Sequence, residues 1–191
     1  MTVTPDTAVP TSISGRYTID PSHTNLGFVA RHAMVTKVRG NFSDVEGHLT
    51  LNVENPAESA ADLTMQVASI DTRNAQRDEH LRTNDFFDAA NHPTITFVST
   101  GVQQTGETTF DVTGDLTIKG TTKPVTVHWE FTGAATDPFG NDRVGFEGHT
   151  VVNRTDFGLT WNAPLGSGGV LVSEKITLEL EVSAIKDTAT A

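Results

Sequence analysis

Residues 175–183 read KITLELEVS. Ile176, Leu178, Leu180 and Val182 fall on one side of an extended chain; Lys175, Thr177, Glu179, Glu181 and Ser183 fall on the other. Successive side chains of a strand point to opposite faces, so this stretch is a strand with one apolar and one wet face. That is the pattern of antiparallel sheet. The same period recurs upstream. Val125, Val127, Trp129 and Phe131 alternate with Thr126, His128 and Glu130, and Phe110, Val112, Leu116 and Ile118 alternate with Thr and Asp. Leu26, Phe28 and Ala30 form another run, as do Val45, Leu49 and Leu51, then Leu63 and Met65, then Val144 and Phe146. Turn chemistry at Gly106-Glu107, at 119–122 (KGTT) and at 139–142 (FGND) separates the runs as hairpins do. Eight to ten strands follow, arranged as an all-β sandwich or barrel.

One stretch breaks the rhythm. Asn74 to Phe87 (NAQRDEHLRTNDFF) has no period of two and is rich in helix formers, so one short polar helix is expected there, capped by Asp71, Thr72 or Asn74. Residues 1–14 and 187–191 read as loose tails around one domain over 15–186. A barrel removes the sheet edges that promote aggregation. Periodicity alone favours an interior filled by its own side chains, while Gly27, Gly47, Gly114, Gly145 and Gly148 mark space or curvature.

The charge balance excludes several classes. Lys plus Arg is 13 and Asp plus Glu is 24, a net charge of −11. A nucleic-acid partner and general adhesion to anionic membrane both need the opposite sign, although a local basic patch is compatible with it. No apolar run is long enough to span a bilayer, so no stable membrane insertion is expected. The first fourteen residues carry no signal peptide, which makes the cytoplasm the expected compartment, or the periplasm or exterior if a signal was removed. Nothing opposes a homodimer.

Chemistry-bearing patterns are sparse. There is no Cys, no His-x-x-x-His pair and no Gly-x-Ser-x-Gly elbow, so neither a metal nor a cofactor nor a catalytic set is expected. Gly166-Ser167-Gly168-Gly169 lacks the Lys of a phosphate loop and reads as a turn, and the sequons at Asn41 and Asn153 carry no weight without a secretory signal. His32 continues the apolar parity of Leu26, Phe28 and Ala30, which points it inward, where an imidazole needs a partner. Basic residues gather in two windows, Arg31, Lys37 and Arg39, then Arg73, Arg77 and Arg82. Each is either a solvated face or a local anion site.

The segment SIDTRNAQRDEHLRTNDFFDAANHPTITFVST (residues 69–100) resembles the hallmark of the YceI-like, polyisoprenoid-binding family. Supporting blocks in the same order are TIDPSHTNLGFVARHAMVTKVRGNFSDVEG (18–47), GDLTIKGTTKPVTV (114–127) and DPFGNDRVGFEG (137–148). The core is Arg77-Asp78-Glu79-His80-Leu81-Arg82, and the resemblance runs from about Arg16 to Ile185. It implies an extended, lipocalin-like antiparallel barrel of eight strands whose hollow interior holds a polyisoprenoid, a prenyl quinone or a fatty-acyl amide, for binding, storage or transport. It supplies no catalytic residues. The family's prototype is exported to the periplasm, and this sequence departs from it in showing no export signal.

By parity, Phe28, Ala30, Leu49, Met65, Phe97, Leu116, Trp129, Phe146, Leu178 and Leu180 line the ligand cavity, with His32 on the same wall. Arg73, Arg77, His80 and Arg82 are candidates for the ligand's polar head, and Asp78 and Arg82, four apart, are spaced to pair on one helix face. The competing reading is an enzyme acting on an isoprenoid-like substrate through inward His32 and a carboxylate.

Overall fold

A computed structural model describes residues 8–189. Alternation carries the chain into eleven strands: β1 (Gly15–Ile19), β2 (Asn25–His32), β3 (Thr36–Phe42), β4 (Val45–Leu51), β5 (Ala60–Gln66), β6 (Ile70–Asp71), β7 (Thr94–Gln104), β8 (Thr109–Ile118), β9 (Thr121–Thr136), β10 (Asp142–Asn153) and β11 (Lys175–Lys186). One helix, α1 (Ala75–Arg82), lies between β6 and β7.

The early strands are split. Pro21 has no backbone N–H to give a ladder, and Pro21–His23 forms a short turn whose N-cap carboxylate, Asp20, accepts from the Ser22 N–H at 3.0 Å. β1 and β2 are therefore two parts of one long strand. Ser43-Asp44 divides β3 from β4, and the turn Val67–Ser69 divides β5 from β6. Registers place these interruptions side by side: Thr18 opposes His48 below the break and Leu26 opposes Phe42 above it, while Val45 opposes Met65 and Phe42 opposes Ile70. Counted this way, eight long strands run up and down, each antiparallel to the next. β11 closes the ring, pairing along its length with β10, through Thr177–Glu181 with β2 and through Ala184–Lys186 with β1. The fold is a closed eight-stranded antiparallel barrel with one helix.

The three expected hairpins are present. Lys119 and Gly120, at φ 49° and 75°, form the two-residue left-handed turn between β8 and β9 that suits strand twist. Asp137 organises the β9–β10 turn by accepting from the N–H groups of Phe139 and Asn141.

Three expectations need correction. The helix does not run from 74 to 87. Asn74 caps its start by accepting from the Arg77 N–H, but Thr83 leaves the helical region and its hydroxyl takes the His80 carbonyl, so the chain turns and buries Phe86. The segment before residue 15 is not loose where it is described. Ile13 is buried, and the hydroxyl of fully buried Tyr17 donates to its carbonyl at 2.8 Å; residues 1–7 lie outside the described chain. At the other end, Asp187 is tied to β1, its carboxylate accepting from Thr18 and pairing with Arg16; residues 190 and 191 are outside the description.

A half-buried ion cluster fixes one end of the barrel. Arg143 on β10 donates to Asp20 and to Asp137, each at 2.7 Å. Burial pushes the Asp20 carboxyl up, but hydrogen bonds from Ser22, Arg143 and His23 outweigh it and hold the group well below the usual carboxylate range. Asp137 is lowered too, chiefly by Arg143 and by backbone N–H donors of the turn.

Candidate ligand-binding site

The interior is hollow. Two chambers lie end to end within the barrel. The first, about 370 Å³, is lined by Ile13, Leu49, Leu51, Val53, Val112 and Phe146 among others. The second, about 170 Å³, is lined by Phe28, Ala30, Met65, Leu116, Leu178 and Leu180 among others. Leu63, Phe97 and Trp129 line both and form a waist between them. All ten apolar residues expected to face the cavity do so. A filled interior, the outcome periodicity alone favours, is not what forms.

Glycines explain why the lumen leaves space at the waist and in the second chamber. A Cβ on Gly148, directly opposite Trp129, would sit 2.6 Å from the indole ring; one on Gly114 would sit 2.4 Å from Phe97, and one on Gly40 2.4 Å from Phe28. Each ring occupies the space that a Cβ at the glycine would fill. A side chain at any of these glycines pushes the ring inward.

Polar groups sit at the outer ends. Asn52, Ser59, Gln104 and Glu107 rim the first chamber, and Arg154 is the single charged residue lining the second. Arg154 is 6% exposed. Its guanidinium donates to four carbonyls, those of Leu159, Trp161, Val172 and Ser173, and forms no ion pair among the described residues. Burial lowers its pKa, partly offset by the charge of Glu174. The side chain clasps the 158–174 loop over that end of the barrel. The sequence shows it only inside the sequon Asn153-Arg154-Thr155, whose Asn153 turns out to cap the Arg154–Phe157 turn.

The helix and the turn after it close the second chamber with side chains that no period of two marks. Leu81, Phe86 and Phe87 line it. Phe87 meets Phe42 edge to face at 5.9 Å, and Phe86 and His80 both pack on Trp161. Val9 and Ile13, on the segment expected to be a tail, line the first chamber. Isolated apolar residues among Thr and Pro were the only signal for them.

The charged candidates are placed otherwise. Arg77 donates to the hydroxyl and carbonyl of Thr72, and Arg82 to the carbonyls of Ala68 and Ile70. The Asp78–Arg82 pair does not form. Asp78 is buried and accepts instead from the N–H and hydroxyl of Thr72. These bonds bolt α1 onto β6. His80 pairs with Asp85 at 2.8 Å, and Arg73 is exposed at φ 63°. None of the four lines a chamber. His32 is exposed, because β2 has left the barrel wall by that point and bridges to Val172 of the loop. The inward His32–carboxylate pair is therefore not formed, and among the described residues no histidine lines either chamber. No helix among the described residues is long and apolar enough to cross a membrane.

Comparison with known proteins agrees with this architecture. The model of the YceI-like domain matches residues 17–184. A UPF0312 protein of Ectopseudomonas mendocina (strain ymp) is 38% identical over 177 residues, 92% of this chain and 90% of that protein. The crystal structure of a Campylobacter jejuni YCEI protein superposes with a TM-score of 0.71 at 30% identity, covering 83% of this chain and 90% of that one. A polyisoprenoid binding domain from Saccharophagus degradans shares the fold, with a TM-score of 0.69 at 15% identity over 90% of this chain and 98% of its own. The chain belongs to the YceI-like family.

Proposed function

We propose that the protein binds a long-chain amphiphilic lipid, such as a polyisoprenoid, a prenyl quinone or a fatty-acyl amide, and stores or carries it without reacting with it. One observation carries the reading: two apolar chambers in line, with polar groups confined to their outer ends. The first chamber alone falls in the range of roughly 300–1,000 Å³ usual for small-molecule pockets. Each buried methylene contributes about 0.8 kcal/mol, so an apolar tail binds tightly with few polar contacts. An enzyme of such a lipid needs a perturbed titratable cluster facing the reacting atoms, and among the described residues no His–carboxylate pair lines the lumen. The name of the Saccharophagus domain supports the isoprenoid class.

For the polar head, the α1 face with Arg73, Arg77, His80 and Arg82 requires Arg77 or Arg82 to exchange its backbone partners for the ligand. Mass spectrometry of an organic extract of the natively purified protein identifies a co-purifying lipid. A binding series of prenyl phosphate against prenyl alcohol, in wild type and in Arg73→Ala, Arg77→Ala and Arg82→Ala, tests the head-group face. Absence of lipid together with failure to bind either probe refutes the carrier reading; equal binding of both, unchanged by every Arg substitution, refutes the head-group face alone.

A further inference from the structure

We propose that the tip of the β2–β3 hairpin, with the 163–172 loop beside it, is a docking surface for an anionic lipid bilayer, set at the outer end of the second chamber. The inference rests on the lipid-binding reading. Met34, Val35 and Val170 are 58%, 74% and 37% exposed. They form one surface, because the Ala33 N–H donates to the Leu171 carbonyl at 2.7 Å, the Ser173 N–H to the Arg31 carbonyl at 3.0 Å, and Gly169 lies against Met34. The turn that presents them is unusual. Ala33 and Met34 both take positive φ, 52° and 63°, where glycine or asparagine sits at lower cost.

Below this apolar tip lies a basic collar. Arg31 and Lys37 are both exposed and directly opposite each other, a like-charge pairing that weakens a hairpin. Neither forms an ion pair among the described residues. The Ser173 hydroxyl accepts from the Arg31 N–H and donates to the Lys175 carbonyl, so the chain bearing exposed Glu174 and Lys175 runs beside Arg31. Arg39, one step further on, is already paired with Glu179.

The rest of the molecule turns this collar into an address. The chain carries −11 overall, and Glu130, Glu147 and Glu181 stand in register across the outer wall. An anionic bilayer repels such a wall and attracts the collar, so the barrel approaches tip first. A second copy docked symmetrically on the same tip would set two collars face to face. Position fits as well. Ala30, Val172 and Ile176 line the second chamber, and their chain neighbours Arg31, Leu171 and Lys175 belong to the tip.

The test is flotation with vesicles of pure phosphatidylcholine and of an equimolar phosphatidylcholine–phosphatidylglycerol mixture. Wild type should float with the mixture, not with the neutral vesicles, and binding should weaken as salt rises. Arg31→Glu with Lys37→Glu should lower affinity at least about thirtyfold, from loss of two cations near the surface, and Met34→Ser with Val35→Ser should also lower it. All four side chains are exposed, so unchanged thermal unfolding certifies the fold of each variant. Uptake of a prenyl alcohol from detergent micelles should be unchanged in both variants, while uptake from mixed vesicles slows. Equal binding to both vesicle types, binding to neither, or a wild-type dimer that the Met34/Val35 substitutions dissociate overturns docking. Failure of micellar uptake in wild type overturns the carrier reading instead.

Discussion

Gly148→Ala puts one methyl group where the barrel keeps its waist open. The added Cβ lies 2.6 Å from the Trp129 ring, whereas ordinary contact begins near 3.4 Å, so the ring must retreat by roughly 1 Å. Wall lies on one side of it and lumen on the other, so it retreats into the lumen. Overpacking a core costs about 1–3 kcal/mol. The empty space beside Trp129 lets the ring yield, which places this variant near about 1 kcal/mol. For a chain of this length that is a Tm lower by about 2–4 °C. The functional effect should be larger than the stability effect. Prenyl alcohols short enough for the first chamber should be weakened less than those long enough to cross the waist, since Trp129 lines both chambers. A double-mutant cycle with Trp129→Ala, read by thermal unfolding and by chain-length-dependent binding, isolates the clash. If the two single costs simply sum, or short and long alcohols are weakened alike, the ring-on-glycine reasoning is wrong.

Ala30→Trp should fill the second chamber and abolish long-chain uptake while the fold survives; a fluorescent prenyl probe reads it, and retained uptake counts against the cavity. Arg143→Met should destabilise the protein at neutral pH and flatten its acid limb. In wild type the contribution of the lowered Asp20 and Asp137 carboxyls is complete above the unfolded value of about 3.9 and is lost as pH falls through their folded values. Unfolding curves between neutral pH and strong acid check this, and an unchanged acid limb would rule it out. Arg154→Met leaves four carbonyls without their donor, each worth about 1–3 kcal/mol if it stays buried. Amide exchange should rise across residues 158–174 and stay unchanged in β7 and β8; equal protection in the loop would show that Arg154 does not hold it.

Parity reached the part of the cavity wall whose inward residues sit on regular strands with a polar outer face. It misplaced His32, whose parity is right but whose strand has by then left the wall, an end that periodicity does not mark. The helix read too long because Phe86 and Phe87 follow good helix formers without a breaker, and only Thr83 adopting an extended conformation ends it. The arginines of the motif look like ligand groups since charge is visible in a sequence and its hydrogen-bond partner is not; the Thr72 hydroxyl and the carbonyls of Ala68, Ile70 and Thr72 are those partners. Arg154 escaped notice for the same reason. The aligned breaks in the first three long strands left no pattern beyond Pro21.

Closure by β11 has a consequence for how the molecule is made. Tyr17 pairs with Lys186 and Val29 with Thr177, so the contacts that seal the ring join nearly opposite ends of the sequence. Such long-range pairings make folding slow. During synthesis, seven long strands emerge before the one that seals them, and their inner faces carry Phe28, Phe97, Trp129 and Phe146. Until Lys175–Lys186 leaves the ribosome, the surface that later encloses the cavity is an open, curved, apolar sheet with two free edges, the form of this chain most exposed to aggregation and to chaperones.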